Sequence, residues 1–150
     1  MRYIKAQFIL IIIILSGTGM FGAEKLVLKG RVFEWLEAPP YGSTIILTDT
    51  SMLRYYKLRP LDSVRIRVLW GSEFRMIDTI IPKTLEPVIY SDKEGKFVFT
   101  GEAPADSLKL AISADKPDFL GNMLPFNFKK GNKSPDFIIL MVKYIKFNKK

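Results

Sequence analysis

The sequence predicts an all-β domain, an antiparallel Greek-key β-sandwich of about seven or more strands. Three observations point there. Beyond residue 23, no stretch of about a dozen residues carries the apolar period of an amphipathic helix. Short runs rich in Val, Ile, Leu and Phe recur instead, separated by Gly, Pro and Asp turn signals. Finally, 48% of the 150 residues are hydrophobic and 25% charged, which suits one core and one domain.

Residues 1–23 are set apart from that pattern. Arg2 and Lys5 form a basic start, Phe8 to Leu15 an unbroken apolar run, and Ser16 to Ala23 a segment rich in small residues. This is the layout of a secretory signal peptide, with cleavage expected between 19 and 23. The apolar run is far short of the roughly 20 residues that cross a bilayer as a helix, so no transmembrane segment is expected in the mature chain. With no Cys in the chain, nothing is available for a lipid anchor at the cleavage site. The expected location is exported, periplasmic or secreted.

The domain is expected over 24–144. Lys25 to Trp35 is rich in strand formers, and Glu37-Ala38-Pro39-Pro40-Tyr41-Gly42 ends it. Thr44 to Thr48 is a second, more apolar run. In Asp62 to Trp70 the alternation puts Val64, Ile66, Val68 and Trp70 on one face and Arg65 and Arg67 on the other. Phe74 to Ile81 is its expected hairpin partner, with Trp70 opposite Phe74, Val68 opposite Met76 and Val64 opposite Ile80. Further strands are expected at Val88 to Ser91, Lys96 to Thr100, Ser107 to Ser113 and Phe137 to Tyr144. Residues 118–128 are expected to be an apolar loop, because Gly121 and Pro125 interrupt it. Phe119 and Phe126 within it either close one end of the core or form a patch for a partner.

Ser91-Asp92-Lys93-Glu94-Gly95-Lys96-Phe97-Val98-Phe99 is the most informative segment. An Asp able to bond its own turn, a Gly able to adopt positive φ and alternating aromatics describe a tight β-hairpin, with Asp92, Gly95 and Phe97 as its structural residues. Asp92 and Glu94 lack the further acidic positions of a calcium loop. The segment resembles the Thr/Ser-Asp-x-x-Gly-x-Phe/Tyr signature of the carboxypeptidase regulatory-like domains, small transthyretin-like (prealbumin-like) sandwiches of Ig-like architecture. Gly30-Arg31-Val32 is similar to that family's first-strand Gly-x-Val. Pro39-Pro40-Tyr41-Gly42-Ser43-Thr44-Ile45 is similar to its Pro-Leu-x-Gly-x-x-Val, with Pro40 in place of Leu. Ser107 to Ser113 fits the strand that follows. The chain departs from the family in the length of 50–87, which reads as an inserted segment near the middle of the domain. That segment is either a binding face, through residues such as Arg54, Tyr55 and Arg59, or a hairpin packed on the sandwich. The resemblance implies a non-catalytic folding, docking or adhesion module, and no ligand.

Charge is distributed unevenly. Without Arg2 and Lys5, 21 basic side chains face 15 acidic ones. The resulting +6 sits entirely in 129–150, where seven Lys accompany Asp136, so residues 24–128 are neutral. Lys143 and the basic tail 145–150, with Lys146, Lys149 and Lys150, are therefore candidate contacts with an anionic surface or polysaccharide, or solubilising flanks of the last strand. Nucleic acid is not an expected partner of an exported chain with no basic face.

The absence of both Cys and His removes thiol nucleophiles, imidazole bases and zinc sites built on those ligands. No cofactor is implied. What remains for catalysis is a pair of carboxylates, such as Glu34 with Glu37 or Asp115 with Asp118. The sequence therefore predicts a non-catalytic cell-envelope domain that binds an envelope protein or polysaccharide or has a structural role. The alternative is a carboxylate-dependent hydrolase acting on envelope or extracellular polysaccharide. N-terminal sequencing of exported protein is expected to find a start between Met20 and Glu24 and no lipid; Met1 retained on envelope-associated protein would overturn this.

Overall fold

Nine strands in two sheets, a β-sandwich-like arrangement, make up the computed structural model, which describes residues 24–39, 42–71 and 83–144. In chain order they are β1 (Glu24–Trp35), β2 (Ile45–Leu47), β3 (Leu58–Pro60), β4 (Arg65–Trp70), β5 (Lys83–Tyr90), β6 (Lys96–Ala103), β7 (Ser107–Asp115), β8 (Asn122–Lys129) and β9 (Asp136–Met141). One 3-10 turn, Ser51–Tyr55, stands between β2 and β3, and no α-helix occurs among the described residues. Residues 1–23, Pro40, Tyr41, the whole of the expected Phe74 to Ile81 strand and the tail from 145 lie outside the described residues.

Sheet A runs β2-β9-β1-β3, with β6 also on β1; sheet B runs β5-β4-β7-β8 and is antiparallel throughout. The 12-residue β1 organises sheet A. Its Glu24 to Arg31 pair with β6 and its Phe33 to Trp35 with β3, so two strands share one edge, while β9 holds the other edge over Lys29 to Glu34. The β1–β9 pairing is parallel, unlike the antiparallel neighbours expected. Alternation encodes which face a residue takes, not the direction of its strand. Here the chain crosses from sheet B to sheet A between β8 and β9, so no hairpin fixes the direction of β9. Phe137 to Met141 are all buried, the continuous apolar run typical of a strand covered on both faces.

Strand alternation builds the core. Leu26, Leu28 and Val32 of β1, Phe97 and Phe99 of β6, and Phe137, Ile139 and Met141 of β9 face Ile66 and Val68 of β4 and Leu110, Ile112 and Ala114 of β7. Burial of each large side chain stabilises the fold by roughly 1.5–3 kcal/mol. Val64, Ile66 and Val68 are fully buried with Trp70 partly so, as the alternation in Asp62 to Trp70 predicts.

Several boundaries differ from expectation. β4 is an inner strand with Trp70 opposite Lys83 on β5 and Leu110 on β7. Both its edges are taken, which rules out the Trp70–Phe74 register. Nearness in sequence favours the first apolar run as partner, whereas β5, starting at Lys83, sets Leu85 against Val68 and Ile89 against Ile66. Residues 50–87 thus contribute β3, inner strand β4 and most of β5. The stretch expected as a loop over 118–128 holds strand β8, with Pro125 opposite Ala111. β8 is an edge strand, so the missing N–H of a proline can face away from the ladder. β9 ends at Met141, and Lys143 follows as an isolated bridge to Phe119.

Asp92 to Lys96 forms a tight turn, but it joins β5 of sheet B to β6 of sheet A and is a corner rather than a hairpin within one sheet. The Asp92 carboxylate accepts from the backbone N–H of Glu94 (2.9 Å) and Lys96 (2.8 Å), and Gly95 donates to the Asp92 carbonyl (2.9 Å). Gly95 has φ +74°, and a Cβ there would lie 2.2 Å from the Val32 carbonyl oxygen. Phe97 and Phe99 point inward and Val98 outward, at 60% exposure.

Two costs therefore meet at Gly95: left-handed backbone, about 1–3 kcal/mol for a bulky residue, and a steric clash. Gly131 (φ +78°) has nothing within 4 Å of its would-be Cβ and isolates the first. Gly95→Val is expected to lower stability by about 1–3 kcal/mol more than Gly131→Val. Urea denaturation of the two variants measures the difference, and equal losses would contradict it.

Candidate functional site

The alternation that fills the core sends the odd-numbered side chains of β1 to the opposite face of sheet A. Lys29, Arg31 and Phe33 follow one another there, flanked by their register partners. Asp136 and Val98 lie either side of Lys29, Ile138 and Lys96 either side of Arg31, and Leu140 beside Phe33. The 3-10 turn and the residue that precedes it add Leu53 and Thr50 to the walls of the same groove, whose volume is about 540 Å³.

Local contacts fix that turn over the sheet. Asp49 accepts from the backbone N–H of Ser51 (2.8 Å) and from its hydroxyl (2.9 Å), and these bonds hold the Asp49 carboxyl below the usual carboxylate range. Tyr56 meets the Trp35 ring edge-on at 5.0 Å between centroids, and Leu36 N–H donates to the Lys57 carbonyl (3.0 Å). The turn is thereby tied to the far end of β1. On the groove floor β1 and β9 come very close. Gly30 makes this approach possible, since a Cβ there would sit 2.1 Å from the Phe137 carbonyl oxygen.

Electrostatics single out one side chain. Lys29 pairs with Asp136 at 3.7 Å and Lys96 pairs with Glu94. Arg31 has no ion-pair partner among the described residues and stands directly opposite Lys96, a like-charge cross-strand neighbour. The groove combines an apolar floor with a net positive rim.

The residues singled out in the sequence fall in different places. Asp92 and Gly95 build the corner that leads into Lys96 of the groove wall, and Phe97 lines the groove floor while its ring is buried (3% exposed). Phe119 and Phe126 are partly buried and pack on the core, Phe126 edge-on to Phe137 at 5.2 Å. Lys143 is exposed beside Phe119, away from the groove. Lys146, Lys149 and Lys150 lie outside the described residues. Lys29 and Arg31 were missed as site residues. Their signal was the odd-position series Lys25, Lys29, Arg31 along one strand face.

Three of the four carboxylates weighed for catalysis, Glu34, Glu37 and Asp115, are engaged elsewhere. Glu34 is buried and accepts from Arg59, Nε at 3.0 Å; Glu37 pairs with Lys57 at 3.1 Å. Asp115 receives two hydrogen bonds from Arg65 Nε (2.9 and 2.8 Å), and this bonding and the carboxylate's charge raise the Arg65 pKa. Among the described residues no group of three Asp or Glu side chains is placed to hold a metal ion, and Asp136 is the one carboxylate lining the groove.

Arg31→Glu turns a like-charge pair into an opposite-charge one and is expected to raise stability by about 0.2–1 kcal/mol. Chemical denaturation at low salt tests the sign; a loss would mean that Arg31 is engaged favourably in the free protein. Compared with family models, curated proteins and solved structures, the chain matches none.

Proposed function

We propose that this chain is a non-catalytic, exported binding module of the cell envelope, of the carboxypeptidase regulatory-like kind, and that its contact surface is the outer face of sheet A. The observation that carries the reading is the groove itself, apolar along its floor and cationic at its rim. Concave, mostly apolar sites with a few convergent polar groups are where proteins bind ligands. The leader-like residues 1–23 support export, and the Asp92-x-x-Gly95 corner with Gly30 supports the family resemblance. A two-carboxylate hydrolase needs two acid groups about 5–10 Å apart across its substrate. The single carboxylate among the described groove residues, Asp136, already paired with Lys29, favours binding over hydrolysis.

Co-sedimentation of the purified full chain with isolated cell envelopes tests this. Lys29→Glu combined with Arg31→Glu is expected to weaken binding about tenfold or more at low salt, and less at high salt where screening is stronger. Truncation after Tyr144, which removes Lys146, Lys149 and Lys150, is expected to have the smaller effect. Binding unchanged in the double variant would move the contact surface elsewhere. Glycan or ester turnover that disappears in Asp136→Asn would make the protein a hydrolase.

A further inference from the structure

We infer that the groove on sheet A takes a single-chain amphiphile with one anionic head, its alkyl chain lying under Leu53 along Phe33, Val98 and Ile138 and its acid group meeting Arg31. The inference rests on the reading of the domain as a binding module and supplies the ligand class.

The first argument is charge. Five charged side chains gather at this place, and two cations are already neutralised by neighbours, Lys29 by Asp136 and Lys96 by Glu94. Arg31 is left with its charge uncompensated among the described residues, directly across from a second cation. One monovalent anion completes the set. A guanidinium offers it a two-pronged, charge-assisted contact whether the head is a carboxylate or a phosphate.

The second argument is what the floor withholds. It is made of β9, β1 and β6, and the β1 backbone in the middle is already bonded to a strand on each side. Along the middle of the floor a peptide therefore finds no free edge to extend as an added strand, and the edge that β6 leaves unpaired lies at the border of the floor, not within it. A sugar is served poorly as well. Among the described residues lining the groove, Phe97 and Phe137 have their rings in the core, leaving Phe33 to stack, and Thr50 is the one neutral polar side chain. An alkyl chain asks only for apolar surface to cover, and Val98 is 60% exposed until something covers it. The volume of about 540 Å³ is that of a small-molecule site.

The test is calorimetric titration of the full chain with decanoate and decyl phosphate below their micelle concentrations, and with decanol and acetate, which each lack one half of the ligand. Expected is saturable one-to-one binding of both anionic amphiphiles, weaker by about tenfold or more for decanol and for acetate. Arg31→Gln is expected to bring decanoate down to the decanol level and to leave decanol unchanged, which also separates the groove from adsorption on the apolar residues 8–15. Val98→Asp, at an exposed position, is expected to weaken all alkyl ligands, with thermal midpoints reporting that both variants fold. Should Val98→Asp unfold, the Arg31→Gln comparison decides alone. Decanoate binding untouched by Arg31→Gln would overturn the inference. So would phosphatidylglycerol vesicles bound in place of free amphiphile. Heparin bound through Arg31 with no decanoate uptake would overturn it too, while leaving the binding-module reading intact; neither ligand bound, with no envelope binding, would remove both.

Discussion

One buried hydroxyl, that of Ser91, ties the two sheets together. It donates to the Leu61 carbonyl (2.8 Å) and accepts from the Val64 N–H (3.0 Å), while the Ser91 backbone bonds Val64 (3.0 Å) and Ser63 (2.9 Å). Leu61 N–H in turn donates to the Val32 carbonyl (3.0 Å), and Val32 N–H to the Gly95 carbonyl (2.7 Å). The β3–β4 and β5–β6 connections thus meet at the middle of β1, where its shared edge passes from β6 to β3. Each of these backbone groups, left unpaired in the interior, would cost roughly 1–3 kcal/mol. The junction is cooperative because any one partner holds the others in place.

A second junction closes the sandwich on the far side. Thr44, 1% exposed, donates its hydroxyl to the Leu120 carbonyl and accepts from Val142 N–H (3.3 Å), and Asn122 donates to the Thr44 carbonyl. Leu120 N–H reaches the Val142 carbonyl (2.9 Å) and Tyr144 N–H the Asp118 carbonyl (2.7 Å). The segment before β8 in sheet B is thereby stapled to the residues that follow β9 in sheet A. This explains why Phe119 and Phe126 pack on the core.

Much of this fold was legible locally and little of it non-locally. Period-two alternation in Arg65 to Trp70 and Lys96 to Phe99 assigned faces correctly, and Asp92 with Gly95 identified a turn, because those signals depend on neighbours in sequence. The partner of β4, the direction of β9 and the strand through Pro125 depend on which edges remain open after the sheet assembles. Local pattern carries no information on that. The site was hidden for the same reason. The Lys-rich end of the chain dominates any count of charge, whereas Lys29 and Arg31 acquire meaning only once β6 brings Lys96 alongside and the 3-10 turn folds over them.

Register links the junction to the site. A shift of β6 by two residues along β1 would keep Phe97 and Phe99 facing inward yet set Val98, not Lys96, against Arg31, so core burial alone does not select the observed pairing. The bond from Val32 to Gly95 does, because it anchors the first residue before β6 to a fixed point on β1, with no space for a side chain at that contact. The cationic rim is thus set by a glycine corner on the protein interior. The electrostatic cost of placing two cations opposite each other, a fraction of a kcal/mol, is small beside the hydrogen bonds that enforce it. A sheet built this way can hold an uncompensated charge beside apolar surface without giving up its stability, and that is the arrangement an anionic, apolar ligand needs.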